Sequence, residues 1–475
     1  MNSRMQALLI VLCVWAVVYL PALGSLAIKG EEGRRIFPAI RMLETGDYVV
    51  PQVGTNPYFR KPPLVNWLVA VSFKIFGVRN EWTARLPSAL AVLAVAIAFV
   101  TVARASLGPR GSTVASLIWL TNIGMIEKGR LIEIEALYVS LSGLAIIFWL
   151  SFWTQKKSAW LIWVPASTFL GLGMLAKGPT LLVFFYGIAL AILWQTRNWR
   201  LLLHPAHFVA LAIMLGIFGA WAVPFAKTTT MQLAMHKWSI QFSERLSGTN
   251  FQFLNWIQNV PRGLVYFLPW LILVPFMRFS EFHDDTQRQL ADALAWGTLV
   301  PFLAVNLVPG AAARYSMPSL VPGSWLLAMS YAGGALRWHN KPHVGSERAW
   351  AKVVTAFVVV GLLIGGIGYP VAALALRDKQ QVKRAAATIN AAVPAGGTLY
   401  VVNPHYQPVL FYVKAPLEYV RSTTELPADT RYFLIRAEKG EEAATTEKWT
   451  RRRTHELARV IDYGKREMIL FEVGP

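Results

Sequence analysis

The sequence predicts a mostly α-helical, polytopic membrane bundle of about 11–13 spans, followed by a small extramembrane α/β domain. Three observations predict it. Of 475 residues, 55% are hydrophobic and only 15% charged, outside the composition of ordinary soluble chains. Apolar runs long enough to cross hydrocarbon recur from Met5 to Leu376. Beyond Leu376 charge rises and the pattern changes to short alternating strands.

The first run, Met5 to Ile28, follows Arg4 and is apolar for roughly 20 residues, enough for one crossing. The small residues Ala22 to Ser25 also allow a cleaved signal peptide, but the many later runs favour an uncleaved anchor. A long loop follows, residues 29–86. Within it Ile36, Phe37, Ile40 and Leu43 recur at helical spacing until Gly46 and Asp47 end the pattern, and Pro62 to Gly77 is apolar but too short to span. Both stretches fit helices lying in the interface plane, with Trp67 and Trp82 suited to that depth, or equally a helical cap packed on the spans.

Further runs are Pro87–Leu107, Ser112–Ile126, Ala136–Trp153, Ser158–Ala176, Pro179–Gln195, Leu201–Ala226, Pro261–Phe279, Leu290–Val308, Pro318–Leu336 and Ala351–Leu376. With a cytoplasmic amino terminus, one set of short loops carries Arg104, Arg110, Lys156, Lys157, Arg197, Arg200, Arg278, Arg288, Arg337, Lys341, Arg348 and Lys352, a positive-inside pattern. The 29–86 loop, residues 127–135, the corner at Lys177, the 227–260 loop, the corner 309–317 and the tail after Arg377 then share the external face. The 29–86 loop is itself basic, which suits cations recruited for a ligand. Residues 1–376 are therefore expected to form the membrane domain and residues 377–475 the external one. In the latter, strands are expected at Gly397–Val402, Pro416–Val420, Arg431–Arg436, Arg459–Tyr463 and Glu467–Glu472, with helices at Asp378–Ala392 and Glu441–Arg453. The Arg451-Arg452-Arg453 run reads as a solvated helix face or, alternatively, as a site for an anionic partner.

Composition also limits chemistry. The excess of 46 Lys and Arg over 26 Asp and Glu gives +20, and its concentration at span ends points to anionic headgroups or a phosphorylated substrate rather than nucleic acid. A single cysteine, Cys13, excludes an internal disulfide and a cysteine-ligated metal. The histidines are scattered, His283-Asp284-Asp285 falls on the predicted cytoplasmic side, and no Walker loop, dinucleotide fingerprint or nucleophile elbow occurs. Carboxylates beside a bilayer are costly unless they pair or work. Glu31 and Glu32 directly follow the first span, and Glu133 and Glu135 stand at the mouth of a later one. Near them in the predicted topology are Arg34, Lys61, Lys177 and Arg314, with Tyr58 and Tyr315. Loop-closing ion pairs and snorkelling cations would explain any one of these singly. Jointly they suit a lipid-linked sugar phosphate: the tail among the spans, the phosphate on Lys and Arg, and a carboxylate taking a proton from an incoming hydroxyl. Fixed cations would offset charge growing on the departing phosphate, so no metal or other cofactor is required.

At these residues the chain resembles membrane glycosyltransferases of the C-type (GT-C) fold, in the branch of aminoarabinose transferases of lipid A and protein O-mannosyltransferases. The resemblance rests on Glu31-Glu32-Gly33-Arg34, on Met42 to Asp47 with Pro51, on Pro57 to Leu64, on Ile75-Phe76-Gly77 and on Ala84 to Ser88. Fainter echoes follow at Arg130 to Leu137, Leu175 to Pro179, Phe242 to Gly248, Leu268-Pro269-Trp270 and Arg314 to Pro318. It implies a polyprenyl-phosphate-linked sugar donor, transfer with inversion on the periplasmic face of a bacterial inner membrane, and membrane lipid as surroundings. By the same resemblance Glu31 matches the catalytic acid of the first loop and Glu135 a second acidic position. Arg34 and Lys61 match cations holding the donor phosphate, and Tyr58 and Tyr315 match residues lining that pocket; Lys177 and Arg314 are added on chemistry. A two-residue shift in register would put Glu133 in place of Glu135. The chain departs from the family where aspartate is usual at both acidic positions and where Arg60 replaces a glutamate before the lysine. Those departures also allow a non-catalytic subunit that binds lipid-linked sugar. A transporter would want charges in mid-span and inverted repeats, and neither is evident.

Overall fold

A computed structural model of the chain describes residues 3–228, 231–247, 251–282, 284–338, 346–377, 379–438 and 454–474. The expected helix at 441–453 with its arginine run, together with His283, Lys341 and Asp378, lies outside the described residues. The chain forms two compact units: Met1–Pro21, Arg60–Val65 and Leu86–Pro370 make one, and Ala22–Phe59, Asn66–Arg85 and Val371–Pro475 make the other.

The first unit is helical. Across the described residues of the whole chain, five helical stretches are long and apolar enough to cross a membrane: Glu81–Thr101, Ile134–Thr154, Ala159–Ala176, Pro205–Thr228 and the succession Ser346–Leu363, Ile364–Gly368 and Tyr369–Arg377. The other expected runs are helical as well, but shorter or charged at one end: Ser3–Tyr19, Arg104–Thr121, Leu181–Gln195, Asp285–Asn306 and Leu320–Ala332. Two differ from expectation for covalent reasons. The stretch expected to span from Pro261 to Phe279 is broken into Asn259–Val265 and a 3-10 turn, Trp270–Phe276, and the segments from Phe253 to Phe276 bend by 87°. Pro261, Pro269 and Pro275 each lack the N–H that a continuous helix would use. Arg104–Thr121 kinks at Gly108, whose φ of 69° is open to glycine, just before Pro109.

Small residues set the helix contacts in this unit. A Cβ on Gly143 would lie 2.4 Å from Val321 Cγ2, and one on Gly187 would lie 2.4 Å from Pro301 Cγ, so Ile134–Thr154 meets Leu320–Ala332, and Leu181–Gln195 meets Asp285–Asn306, at backbone proximity. Arg130 is fully buried. Its guanidinium donates to the carbonyls of Val18 and Pro21 and, at 3.2 Å, of Gly365, and it lies 3.8 Å from the Tyr369 ring. The Val18 and Pro21 carbonyls stand at and beyond the carboxy-terminal end of Ser3–Tyr19, where a helix leaves acceptors unpaired.

The second unit carries a five-stranded sheet in the order Leu417–Val420, Leu399–Val402, Tyr432–Arg436, Glu467–Val473, Thr454–Ile461, the first three parallel and the last two antiparallel to their neighbours. Four of these are the strands expected from alternation; the fifth, Thr454–Ile461, begins before the expected Arg459 and ends before Tyr463, which falls in a 3-10 turn, and Gln381–Ala392 is the expected helix. Ala385, Ala386 and Ile389 of that helix, with Leu399, Val401, Leu434 and Leu470, form a core that also takes in Phe37, Val53 and Tyr58 of the 29–86 loop. The loop contains the two expected helices, Gly30–Thr45 and Leu64–Phe76. Gly46 closes the first in left-handed conformation, φ 73°, its N–H donating to Met42 O, as a C-terminal glycine cap does.

Candidate active site

The Glu31-Glu32 doublet divides into two roles, because consecutive helical residues face about 100° apart. Glu32 is buried and bound by Arg85, also buried, through Nε at 2.8 Å and Nη2 at 2.9 Å. Arg85 spends its remaining donors on the carbonyls of Leu23, Leu26 and Ala27, and Glu32 accepts the Lys29 backbone N–H at 2.9 Å. Every arm of this pair is committed to holding the chain where it enters the helix Gly30–Thr45. Glu31, by contrast, has 53% of its side chain exposed and pairs with Arg34, whose Nη1 lies 2.8 and 2.9 Å from its two oxygens. A solvent-facing carboxylate beside one movable cation can receive a proton; a fully engaged one cannot.

Arg34 is held from a second side. Its Nη2 donates to the Tyr406 hydroxyl and its guanidinium carbon lies 4.2 Å from the centre of the Tyr406 ring. Burial works against its charge, but the Tyr406 hydroxyl and Glu31 more than offset it, so its pKa stays above the ordinary guanidinium value. Tyr58, expected to line the donor pocket, is buried in the core of the same unit and accepts from Arg35 Nη1 at 3.0 Å. Tyr406 and Arg85 were not singled out from sequence. The trace of Tyr406 in the sequence is Gly33, where a Cβ would lie 2.7 Å from the Tyr406 carbonyl oxygen.

In the other unit, Glu135 lies in the first turn of Ile134–Thr154. Its Oε1 is 3.1 Å from Lys177 Nζ and 3.1 Å from Arg314 Nε. Lys177 is further held over two rings, 4.3 Å from the centre of Tyr315 and 4.9 Å from that of Tyr138. Thus Glu135, Lys177, Arg314 and Tyr315, distant in sequence, form one cluster. Glu133, the alternative acidic position, lies 3.0 Å from Lys128 Nζ, and Glu127 closes on the same lysine at 2.8 Å. Burial opposes the Lys128 charge, yet these two carboxylates raise its pKa overall. Geometry therefore gives Glu135, not Glu133, the two cations named from sequence. Lys61 is half-buried in the bend before Leu64–Phe76 and belongs to the same unit as Glu135.

Arg314, 42% exposed, also lines a cavity of about 440 Å³ with Arg262, Asn255, Asn259, Trp256 and Tyr266. Asn259 is fixed there by donating to Ala311 O at 3.0 Å. Guanidinium, amide and aromatic walls of this kind suit a hydroxylated, anionic headgroup. Among the described residues no group of three or more His, Cys, Asp or Glu is placed to hold a metal ion.

Residues 60–223 match the family described as dolichyl-phosphate-mannose-protein mannosyltransferase. An undecaprenyl phosphate-α-4-amino-4-deoxy-L-arabinose arabinosyl transferase of Pseudomonas fluorescens (strain Pf0-1) is 26% identical over 341 residues, covering 70% of this chain and 60% of the relative. A protein of the same description from Pseudomonas aeruginosa (strain UCBPP-PA14) is 27% identical over 339 residues, 68% of this chain and 59% of that one. The matched region thus spans about 60% of the length of these curated relatives. The crystal structure of ArnT from Cupriavidus metallidurans bound to undecaprenyl phosphate superposes with a TM-score of 0.75 at 18% identity, covering 98% of this chain and 97% of the other. The chain is a multi-pass membrane protein with the GT-C fold, similar in sequence to the aminoarabinose transferase and protein mannosyltransferase-like family.

Proposed function

We propose that this chain is an inverting glycosyltransferase of the bacterial inner membrane, moving a sugar from a polyprenyl-phosphate carrier to an acceptor hydroxyl or phosphate on the periplasmic face. The observation that carries this reading is the Glu135 cluster: a nearly buried carboxylate at a span end that holds one lysine and one arginine together. Two cations fixed in this way offset the charge that develops on a departing phosphate without reorganising during the reaction. The relatives' printed donor, an undecaprenyl phosphate sugar, agrees with that chemistry.

The step balances as follows. The acceptor oxygen forms a bond to the anomeric carbon as the bond from that carbon to the phosphate oxygen breaks. The electron pair leaves with the polyprenyl phosphate, and the acceptor proton goes to Glu31. Attack opposite the departing phosphate inverts the anomeric centre. Arg34, Lys61, Lys177 and Arg314 are the proposed ligands of the donor phosphate and Tyr58 and Tyr315 the proposed lining of the donor pocket, and within its own cluster Glu135 keeps Lys177 and Arg314 in register. Because both positive charges on Glu135 reach one oxygen, its part is to position rather than to accept a proton. Lysine and arginine supply the charge stabilisation, so the reading calls for no metal or cofactor.

The acceptor is a lipid A-like glycolipid, a growing glycan or a protein hydroxyl. Purified protein incubated with radiolabelled polyprenyl-phosphate sugars and bacterial membrane extract tests the reading, and label must move to a new product. A second reading, a non-catalytic subunit that binds lipid-linked sugar, is favoured by the glutamates at positions 31 and 135 and by Arg60. Saturable binding of the labelled donor with no product would establish it.

A further inference from the structure

Tyr406 lies in the loop between strand Leu399–Val402 and the 3-10 turn Pro408–Tyr412, more than 300 residues from Glu31. The helix face it meets is cleared by glycine. A Cβ on Gly33 would lie 2.7 Å from the Tyr406 carbonyl oxygen, and one on Gly30 would lie 2.6 Å from the Tyr463 ring. On the loop side, Asn403 and His405 adopt φ of 44° and 50°, left-handed backbone that residues other than glycine seldom take. Both partners have therefore given up something local, a side chain on one and backbone preference on the other, to bring Tyr406 onto Arg34.

What Arg34 gains is a fixed direction. An arginine has four side-chain torsions, and a surface pair with a carboxylate three residues away restrains them only weakly. The Tyr406 hydroxyl takes one terminal nitrogen and its ring backs the guanidinium plane, and because the guanidinium is rigid and planar this also fixes the direction of Nη1, the arm on Glu31 and the nitrogen offered to a phosphate.

We propose that Tyr406 is a positioning residue of the transfer reaction, a contribution of the carboxy-terminal domain that fixes Arg34 toward the donor phosphate and, through Arg34, orients Glu31. This rests on the transferase reading for its catalytic part and on donor binding alone for the rest.

The experiment is a double-mutant cycle on the full-length protein in nanodiscs, with two readouts: affinity for undecaprenyl phosphate and kcat for sugar transfer. Tyr406→Ala should weaken undecaprenyl phosphate binding about tenfold and lower kcat by about a further tenfold to hundredfold, since misplacing a binding group by an ångström costs of that order. Tyr406→Phe, which keeps the ring, should fall between Tyr406→Ala and the unaltered protein while its melting temperature stays the same. In the Arg34→Ala background, Tyr406→Ala should cost nothing further in either readout, because there is no guanidinium left to position. Independent, additive losses would overturn the proposal. So would a Phe variant equal to the unaltered protein together with an Ala variant that lost only folded yield. Should the unaltered protein bind undecaprenyl phosphate but transfer no sugar, the transferase reading fails while the binding cycle still decides the role of Tyr406.

Discussion

Two adjacent glutamates, Glu31 and Glu32, carry the same chemistry and opposite tasks, and the difference lies entirely in how many donors each meets. Glu31→Gln removes the proposed proton acceptor while keeping the shape of the side chain. Transfer measured with saturating donor should fall by about 10²–10⁴-fold with donor affinity changed little, and unchanged transfer would take Glu31 out of the mechanism. The two acidic candidates on the other unit separate as cleanly. Glu135→Gln releases Lys177 and Arg314 from a common oxygen and should weaken donor binding about tenfold or more. Glu133→Gln breaks the ion pair with Lys128 but leaves both cations on Glu135, and should change the donor dissociation constant, read by titration with undecaprenyl phosphate, far less than Glu135→Gln does. In the sequence Glu133 and Glu135 were interchangeable, since the partners that distinguish Glu135 are remote: Lys177 and Arg314 lie 42 and 179 positions from it. Tyr406 was hidden for the same reason, as a lone tyrosine in a loop has no local pattern and only the missing side chain of Gly33 hints that something must fit there.

At the scale of elements, the entry to helix Gly30–Thr45 is held by one buried ion pair with every polar arm satisfied. Arg85→Ala would leave Glu32 buried without its counter-charge, which costs about 3–5 kcal/mol. The expected outcome is a lowered melting temperature in detergent and faster proteolysis of the loop between Ala22 and Phe59; a variant as stable as the unaltered protein would show that water reaches Glu32. Elements with period or punctuation of their own were legible. Four of the five strands, the helix closed by Gly46 and the short apolar helix Leu64–Phe76 all announce themselves by alternation, helical spacing or a glycine stop. Hydropathy misled where it is blind to geometry: Pro261 to Phe279 is apolar enough to span, yet its prolines break it into short turns. Charges at the start of Asp285–Asn306 likewise leave an otherwise apolar helix outside the set of long spans.

On the scale of the whole molecule, the membrane composition was plain in the residue counts, but the partition into units was not, because the first loop and the residues after Val371 fall into one unit without any sequence pattern linking them. Chemistry that relies on lysine and arginine predicts that sugar transfer survives excess EDTA with its rate unchanged; loss of activity restored by a divalent cation would refute the metal-free reading. The sheet unit adds a pH dependence of its own. Asp462 is fully buried, and burial is the chief cause that lifts its pKa from 3.8 to about 6, against the lowering effect of the Tyr463 and Val409 N–H groups and of Arg466. A carboxyl whose folded pKa is raised binds its proton more tightly in the folded state, so its contribution favours folding at low pH. That contribution declines as pH climbs from near 4 to near 6 and is gone above it. A shift of this size corresponds to roughly 3 kcal/mol, a large share of the stability of a small domain. Hydrogen exchange of the strands Leu399–Val402, Tyr432–Arg436 and Glu467–Val473, corrected for intrinsic rates, should show protection falling between pH 4 and 6 and level beyond. In Asp462→Asn, which can remain neutral and still accept from Val409, the decline should vanish and protection at pH 7.5 should rise; an identical decline in that variant would assign the pH dependence to another group.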